Sequence, residues 1–187
     1  MTLEQLSFID DPRPRPIVNV AMVPQRSPFR YPGGKTWLVP RIREWLRSQD
    51  ISPNEFIEPF AGGAIVSLTA AFERLAKHVT IVELDYQVAA VWHTIIEGDA
   101  IWLAERIVNF DFTPETVEGT LSAPAFTLPD IAFQTILKNR VNRGGILAEG
   151  AGRIKNGENG KGLKSRWYPQ TLKQRIIDII GVRERIS

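Results

Sequence analysis

The sequence predicts an α/β domain built on a parallel sheet, and three observations carry that reading. "HVTIVELD", His78 to Asp85, is a β-branched run of strand length. "FIEPFAGG", Phe56 to Gly63, is a second short apolar run that stops on two glycines. Between and after these runs, apolar residues recur with helical spacing. Strand, glycine turn, helix, strand, helix is one βαβ unit, which implies parallel strands joined by a right-handed crossover.

The elements follow in order. Residues 1–26 read as a flexible tail, because the prolines of "DDPRPRP" suit neither a helix nor a central strand. "IVNVAMV" within it reads either as a short edge strand or as part of that leader. A helix is predicted from Thr36, with Leu38, Ile42, Trp45 and Leu46 on one face and Pro40 in its first turn. "SPNEFIE" leads into a strand ending near Glu58. A helix from Gly63 to Ala76 presents Ile65, Leu68, Phe72 and Leu75 to one side. After the His78 strand, "QVAAVWHTII" is a helix with Val88, Val91, Trp92 and Ile95 inward, and Gly98 breaks it. Asp99 can cap the next helix, through Trp102, Leu103 and Ile107. Residues 111–129, rich in Pro and Thr, read as a connecting loop. A helix from Asp130 to about Val141 follows, then a Gly-rich basic stretch over 142–169, then a last helix from Thr171 to Ile180 ending at Gly181.

Composition narrows the function classes. A chain of 187 residues can bury a substantial core. It has no cysteine, so no disulfide framework and no thiolate metal site, and its two histidines, His78 and His93, predict no metal centre. No apolar run is long enough for a bilayer span, and no secretory signal is visible, which leads us to expect a cytoplasmic protein without a membrane partner. The net charge of +2 says little about partners.

The glycine turn carries the first functional signal. Ligands of open parallel sheets bind at the carboxyl ends of strands. Gly62 and Gly63 stand at such an end, where glycine lets a ligand approach the backbone and helix N-terminal N–H groups can meet it. Glu83 follows Gly63 by twenty positions, about where nucleotide folds place an acid on the ribose hydroxyls. "FAGGAI" lacks the G-x-G-x-x-G spacing, and Glu58 would repel a neighbouring phosphate. It suits a cationic ligand or a backbone donor. A ligand with a ribose, a positive centre and no phosphate describes S-adenosylmethionine.

"FRYPGGKTWL", Phe29 to Leu38, raises a competing reading, a phosphate-binding P-loop. That motif needs glycine where Phe29 stands, and Tyr31 and Pro32 occupy the expected nest. The alternatives are a turn presenting Lys35 and Tyr31 to the same ligand, with Lys35 on a carboxylate, or a helix N-terminus with a solvated lysine.

Taken together, "YPGGK", "EPFAGG" and "VELD", in that order, resemble the Dam-like adenine-specific DNA methyltransferases. "NRVNRGGILAEGAG" and "KGLKSRWYP" resemble the segment before the catalytic motif in one branch of that family. The resemblance covers roughly residues 27–186. It implies a partial Rossmann-like S-adenosylmethionine-dependent methyltransferase fold, with a cofactor-binding part over 27–110 and an inserted helical and basic DNA-recognition part over 111–187. It implies cofactor contacts from Tyr31, Gly33, Gly34 and Lys35, and a turn beneath the cofactor from Glu58, Pro59, Phe60, Ala61, Gly62 and Gly63. Glu83 would bind the ribose and Leu84 would pack on the adenine ring, with Asp85 capping the next helix. The family's Asp-Pro-Pro-Tyr motif does not occur in the sequence. We therefore expect no catalytic residue here, and a chain that stops where the strand before that motif would begin. It would be inactive alone, a remnant that binds S-adenosylmethionine or DNA, or one half of a split enzyme completed by a second chain.

Double-stranded DNA is the expected partner. Lys138, Arg140, Arg143, Arg153, Lys155, Lys161, Lys164, Arg166, Lys173 and Arg175 cluster along the chain, opposed only by Glu149 and Glu158. Interleaved Gly and Asn suit a loop that follows a phosphate backbone. Arg140, Asn142, Arg143, Lys155, Lys164 and Arg166 are the candidate DNA contacts. Tyr168 and Trp167 could stack on a base, with Trp167 better suited to the core.

Overall fold

A computed structural model describes residues 20–30 and 34–187. Its sheet is small. β1 (Glu55–Pro59) and β2 (His78–Val82) pair in parallel, with Glu55 opposite His78 and Pro59 opposite Val82. The crossover between them carries α2 (Ile65–Phe72), so the expected βαβ unit is present. Ile186 bridges Val79 in parallel on the other side of β2. The Ile81 N–H donates to the Ser187 carbonyl at 2.7 Å and the Ser187 N–H to the Val79 carbonyl at 3.0 Å. The "VRERIS" segment, where a further strand is expected, therefore begins to pair with β2.

The remaining elements are helical: α1 (Val39–Arg47), α3 (Tyr86–Ile96), α4 (Ala100–Val108), α5 (Pro114–Ser122), α6 (Leu128–Val141) and α7 (Pro169–Ile180). Local chemistry starts several of them. The Asp85 carboxylate accepts from the Gln87 and Val88 N–H groups, and Asp99 accepts from Trp102, satisfying donors that a helix start leaves unpaired. α6 is the central strut, with Ala132, Phe133, Ile136, Leu137 and Val141 buried. It packs on α3, and α7 packs on α4. One apolar core takes Leu68, Val79 and Ile95 from the first half of the chain and Ile136, Trp167 and Ile176 from the second. Trp167 is a core residue, ringed by Phe110 and Phe112.

Four expectations need correction. Residues 111–129 are not all loop, because α5 lies within them. Thr113 and Thr116 cap its start reciprocally and Pro114 supplies a preset φ at the first turn, so the Pro- and Thr-rich composition marks a helix start. The packed domain begins before residue 27. Val23 is buried with Val39, Ile65 and Val66, and the Arg26 guanidinium stacks 4.5 Å over Phe72. Residues 20–22 form a 3-10 turn where an edge strand was one expectation, and the rest of that stretch lies outside the described residues. The helix predicted from Thr36 opens as a 3-10 turn over Lys35–Trp37 and becomes α-helical at Val39. Among the described residues, no helix is long and apolar enough to cross a membrane.

Candidate cofactor turn and basic cavity

The turn after β1 takes positive φ at three points. Phe60, Gly62 and Ala64 have φ of 52°, 54° and 46°. Glycine adopts this region freely, whereas the other two carry a conformational cost that the surroundings must hold. Glu58, only 4% exposed, is the first restraint. Its carboxylate accepts from the Ser67 N–H inside α2 at 2.8 Å and from the Lys35 ammonium at 2.8 Å. The same ammonium donates to the Pro59 and Phe60 carbonyls at 3.2 and 2.7 Å. Glu83 is the second restraint. Its carboxylate accepts from the Gly62 N–H at 2.6 Å and from the Asp85 N–H at 2.9 Å. The Trp92 indole donates to the Gly62 carbonyl at 2.8 Å, and Phe29 packs on the Trp92 ring.

These contacts bear on two expected roles. Lys35 spends its three donors on Glu58 and on the turn, so here it braces the loop rather than reaching for a ligand carboxylate. Glu58 finds its cation in Lys35 and its backbone donor in Ser67, so it is already satisfied internally. Glu83 does stand at the carboxyl end of β2, as its spacing suggests, and ties the two strand ends together. Beside it, Leu84 is 84% exposed and Phe60 is 74% exposed, which leaves apolar surface flanking the acid. Tyr31 and Gly33 lie outside the described residues.

A cavity of about 700 Å³ opens beside the turn. Gly34, Lys35, Phe60, Ala61, Gly62 and Gly63 line one wall, and Arg140, Arg166, Tyr168 and Arg175 the other. Its volume is that of a small-molecule site. Pro59, Glu58, Glu83 and Leu84 are not among the lining residues. The cavity therefore joins the "GGK" loop and the glycine turn to the basic region, which sequence spacing alone does not reveal. Asn139, fully buried, makes the joint. Its side chain accepts from the Arg30 N–H at 2.9 Å and donates to the Arg30 and Gly145 carbonyls at 2.8 and 2.7 Å. Nothing in the local pattern singled out Asn139, although a polar residue on an otherwise buried helix face is a signal that could have.

The candidate DNA contacts divide into two groups. Arg143, Lys155 and Lys164 are exposed, with Arg166 half-buried at the cavity wall. Arg140 and Asn142 are buried, so neither serves as an outer DNA contact. Arg140 donates to the Pro28 carbonyl and lines the cavity. Asn142 is spent within its own loop, donating to the Ile146 carbonyl and accepting from Arg153. Burial pushes the Arg140 guanidinium down to about 9, with Arg175, Arg30 and Arg166 pushing the same way and Tyr168 opposing. Burial likewise lowers Arg30 and Arg175.

Among known families, residues 31–118 match the model of the D12 class N6 adenine-specific DNA methyltransferases. No curated protein matches the chain.

Proposed function

Residues 31–118 belong to the D12 class N6 adenine-specific DNA methyltransferase family, and from that premise we propose that the chain binds S-adenosylmethionine and DNA for methyl transfer to the N6 amine of adenine. The observation that carries this reading is the cavity that brings the turn of Gly62 and Gly63 against Arg140, Arg166 and Tyr168. A cofactor surface and a nucleic-acid surface then share one space.

The residues present fit the cofactor. An acid at the end of β2, Glu83, stands beside exposed Leu84 and Phe60, chemistry that matches a ribose and an adenine ring. Gly62 and Gly63 leave the backbone open towards the cavity. Glu83 and Leu84 would hold the adenosine, and the turn with Gly34 would hold the methionine part, with Lys35 bracing that turn from behind. S-adenosylmethionine, when bound, supplies a sulfonium methyl. The chain's own part is to hold the turn rigid, through Glu58, Lys35 and Trp92, and to receive a base taken out of the duplex. Tyr168, 45% exposed and lining the cavity, is the aromatic face available for such a base.

The amine also needs acceptors for its hydrogens, which the family takes from the Asp-Pro-Pro-Tyr motif. That motif does not occur in this sequence. We therefore read the chain as binding cofactor and DNA without catalysing transfer alone. A second chain bearing the motif would supply those acceptors.

Calorimetric titration with S-adenosylmethionine tests the cofactor reading, with Glu83→Gln beside the native chain. Glutamine keeps an acceptor for the turn but cannot accept hydrogen bonds from both ribose hydroxyls as a carboxylate does. Binding that weakens in the variant is the expected result. A folded native chain that takes up no S-adenosylmethionine would overturn the proposal.

A further inference from the structure

The segment Ser27–Arg30, which leads towards the "GGK" loop, has no helix or strand of its own. Its backbone groups must therefore find partners elsewhere. Side chains from the second half of the chain supply them. Arg175 donates to the Ser27 carbonyl at 2.8 Å, and Arg140 donates to the Pro28 carbonyl. Asn139 takes both backbone groups of Arg30, accepting from the N–H at 2.9 Å and donating to the carbonyl at 2.8 Å. One amide thus does what a neighbouring strand would do. Its other amide hydrogen goes to the Gly145 carbonyl. An added Cβ at Gly145 would stand 2.3 Å from the Arg30 carbonyl, so the two segments that Asn139 joins are in close contact.

Phe29 carries the connection onward. Its N–H donates to the Ser27 Oγ at 3.1 Å, and its buried ring lies 5.6 Å from the ring of Trp92, tilted by 55°. Trp92, also buried, donates its indole N–H to the Gly62 carbonyl at 2.8 Å. Gly62 gives its own N–H to Glu83. A continuous line of contacts therefore runs from Asn139 on α6 through Arg30, Phe29 and Trp92 to the glycine turn.

Neither Asn139 nor Trp92 is among the residues that line the cavity. Any effect of theirs on a ligand there passes through the backbone they hold. Close-packed interiors transmit such effects, because a displaced side chain has no free space to absorb the shift. Hydrogen bonds register them, since their geometry tolerates only a few tenths of an ångström about its optimum.

We propose that Ser27–Arg30 is a strap by which α6 positions the cofactor turn, with Asn139 and Trp92 as positioning residues at its two ends. The inference rests on the S-adenosylmethionine reading above and adds to it a residue that does not touch the ligand. Affinity for the cofactor then depends on an amide whose partners are all protein backbone.

The test is a double-mutant cycle on S-adenosylmethionine affinity, measured by calorimetric titration for the native chain, Asn139→Ala, Trp92→Phe and the pair, with circular dichroism to establish that each is folded. Each single variant is expected to bind about five- to tenfold more weakly, one hydrogen bond's worth. The double variant should bind about as weakly as the weaker single one, because both cut the same line, whereas independent effects would multiply. Asn139 is fully buried and its replacement risks the fold. Phe29→Leu, in the middle of the line, takes its place in the cycle if Asn139→Ala does not fold, with the same expectation. Val117→Ala, a core substitution in α5, is the control for general destabilisation and should keep the native affinity. Multiplying effects, a strap variant that binds like the native chain, or a control that weakens binding as much as the strap variants would each overturn the strap and leave the cofactor reading standing. A folded native chain that takes up no S-adenosylmethionine would overturn both.

Discussion

Glu58→Ala should loosen the turn and the fold together. The carboxylate is 4% exposed and accepts two hydrogen bonds. Its removal strands the Ser67 N–H in a fully buried residue, at a cost of about 1–3 kcal/mol. Lys35 loses one of three acceptors, but its side chain is 32% exposed and keeps two carbonyls. Solvent screening therefore holds that part to about 0.5–1 kcal/mol. Together the loss is about 1.5–4 kcal/mol, which lowers the melting temperature of a domain this size by about 3–16 °C. Glu58→Gln keeps an acceptor for Ser67 and should lose about half as much. Thermal unfolding followed by circular dichroism, with urea melts for the free energy, measures both. An alanine variant within about 0.5 kcal/mol of the native chain would refute the claim that Glu58 anchors the turn.

Three further outcomes follow from other sites. Gly145→Ala should cost about 3 kcal/mol or more, because φ there is 76° and an added Cβ would sit 2.3 Å from the Arg30 carbonyl; Gly119→Ala, with open space inside α5, should stabilise by about 0.5–1 kcal/mol in the same urea melts. Burial pushes the Glu73 carboxyl up, but Arg43, Arg26 and Arg47 outweigh it and hold it below the usual glutamate range. Its contribution is therefore fully present above the ordinary glutamate value and is lost as pH falls through the lowered one, so Glu73→Gln should flatten the acid limb of a stability–pH curve.

Much of the local structure was legible in the residues. Asp85 and Asp99 announce helix starts because a carboxylate before an apolar run satisfies unpaired N–H groups wherever it occurs. The βαβ unit was legible because β-branched runs and a glycine turn bias a chain locally. α5 was missed because Pro and Thr serve loops and helix starts alike, and only the reciprocal bonds of Thr113 and Thr116 decide between them. The site was legible in part. The glycine turn and Glu83 stand at the strand ends as their spacing suggests, but their partners did not follow from spacing. Lys35 looked like a ligand contact, and its engagement with Glu58 depends on how close α1 brings two segments 23 residues apart.

By itself the sequence determined the class of fold, the order of most of its elements, the residues of the turn and the match of residues 31–118 to a family model. Those are matters of period, capping and motif, which neighbours along the chain encode. Only the tertiary structure decided which cations meet. Arg175 bonds to the Ser27 carbonyl across 148 positions, and Asn139 holds Arg30 across 109. A count of basic residues could not separate buried Arg140 from exposed Arg143, because burial depends on which helix faces pack together. That packing decides which basic side chains line the cavity and which face solvent.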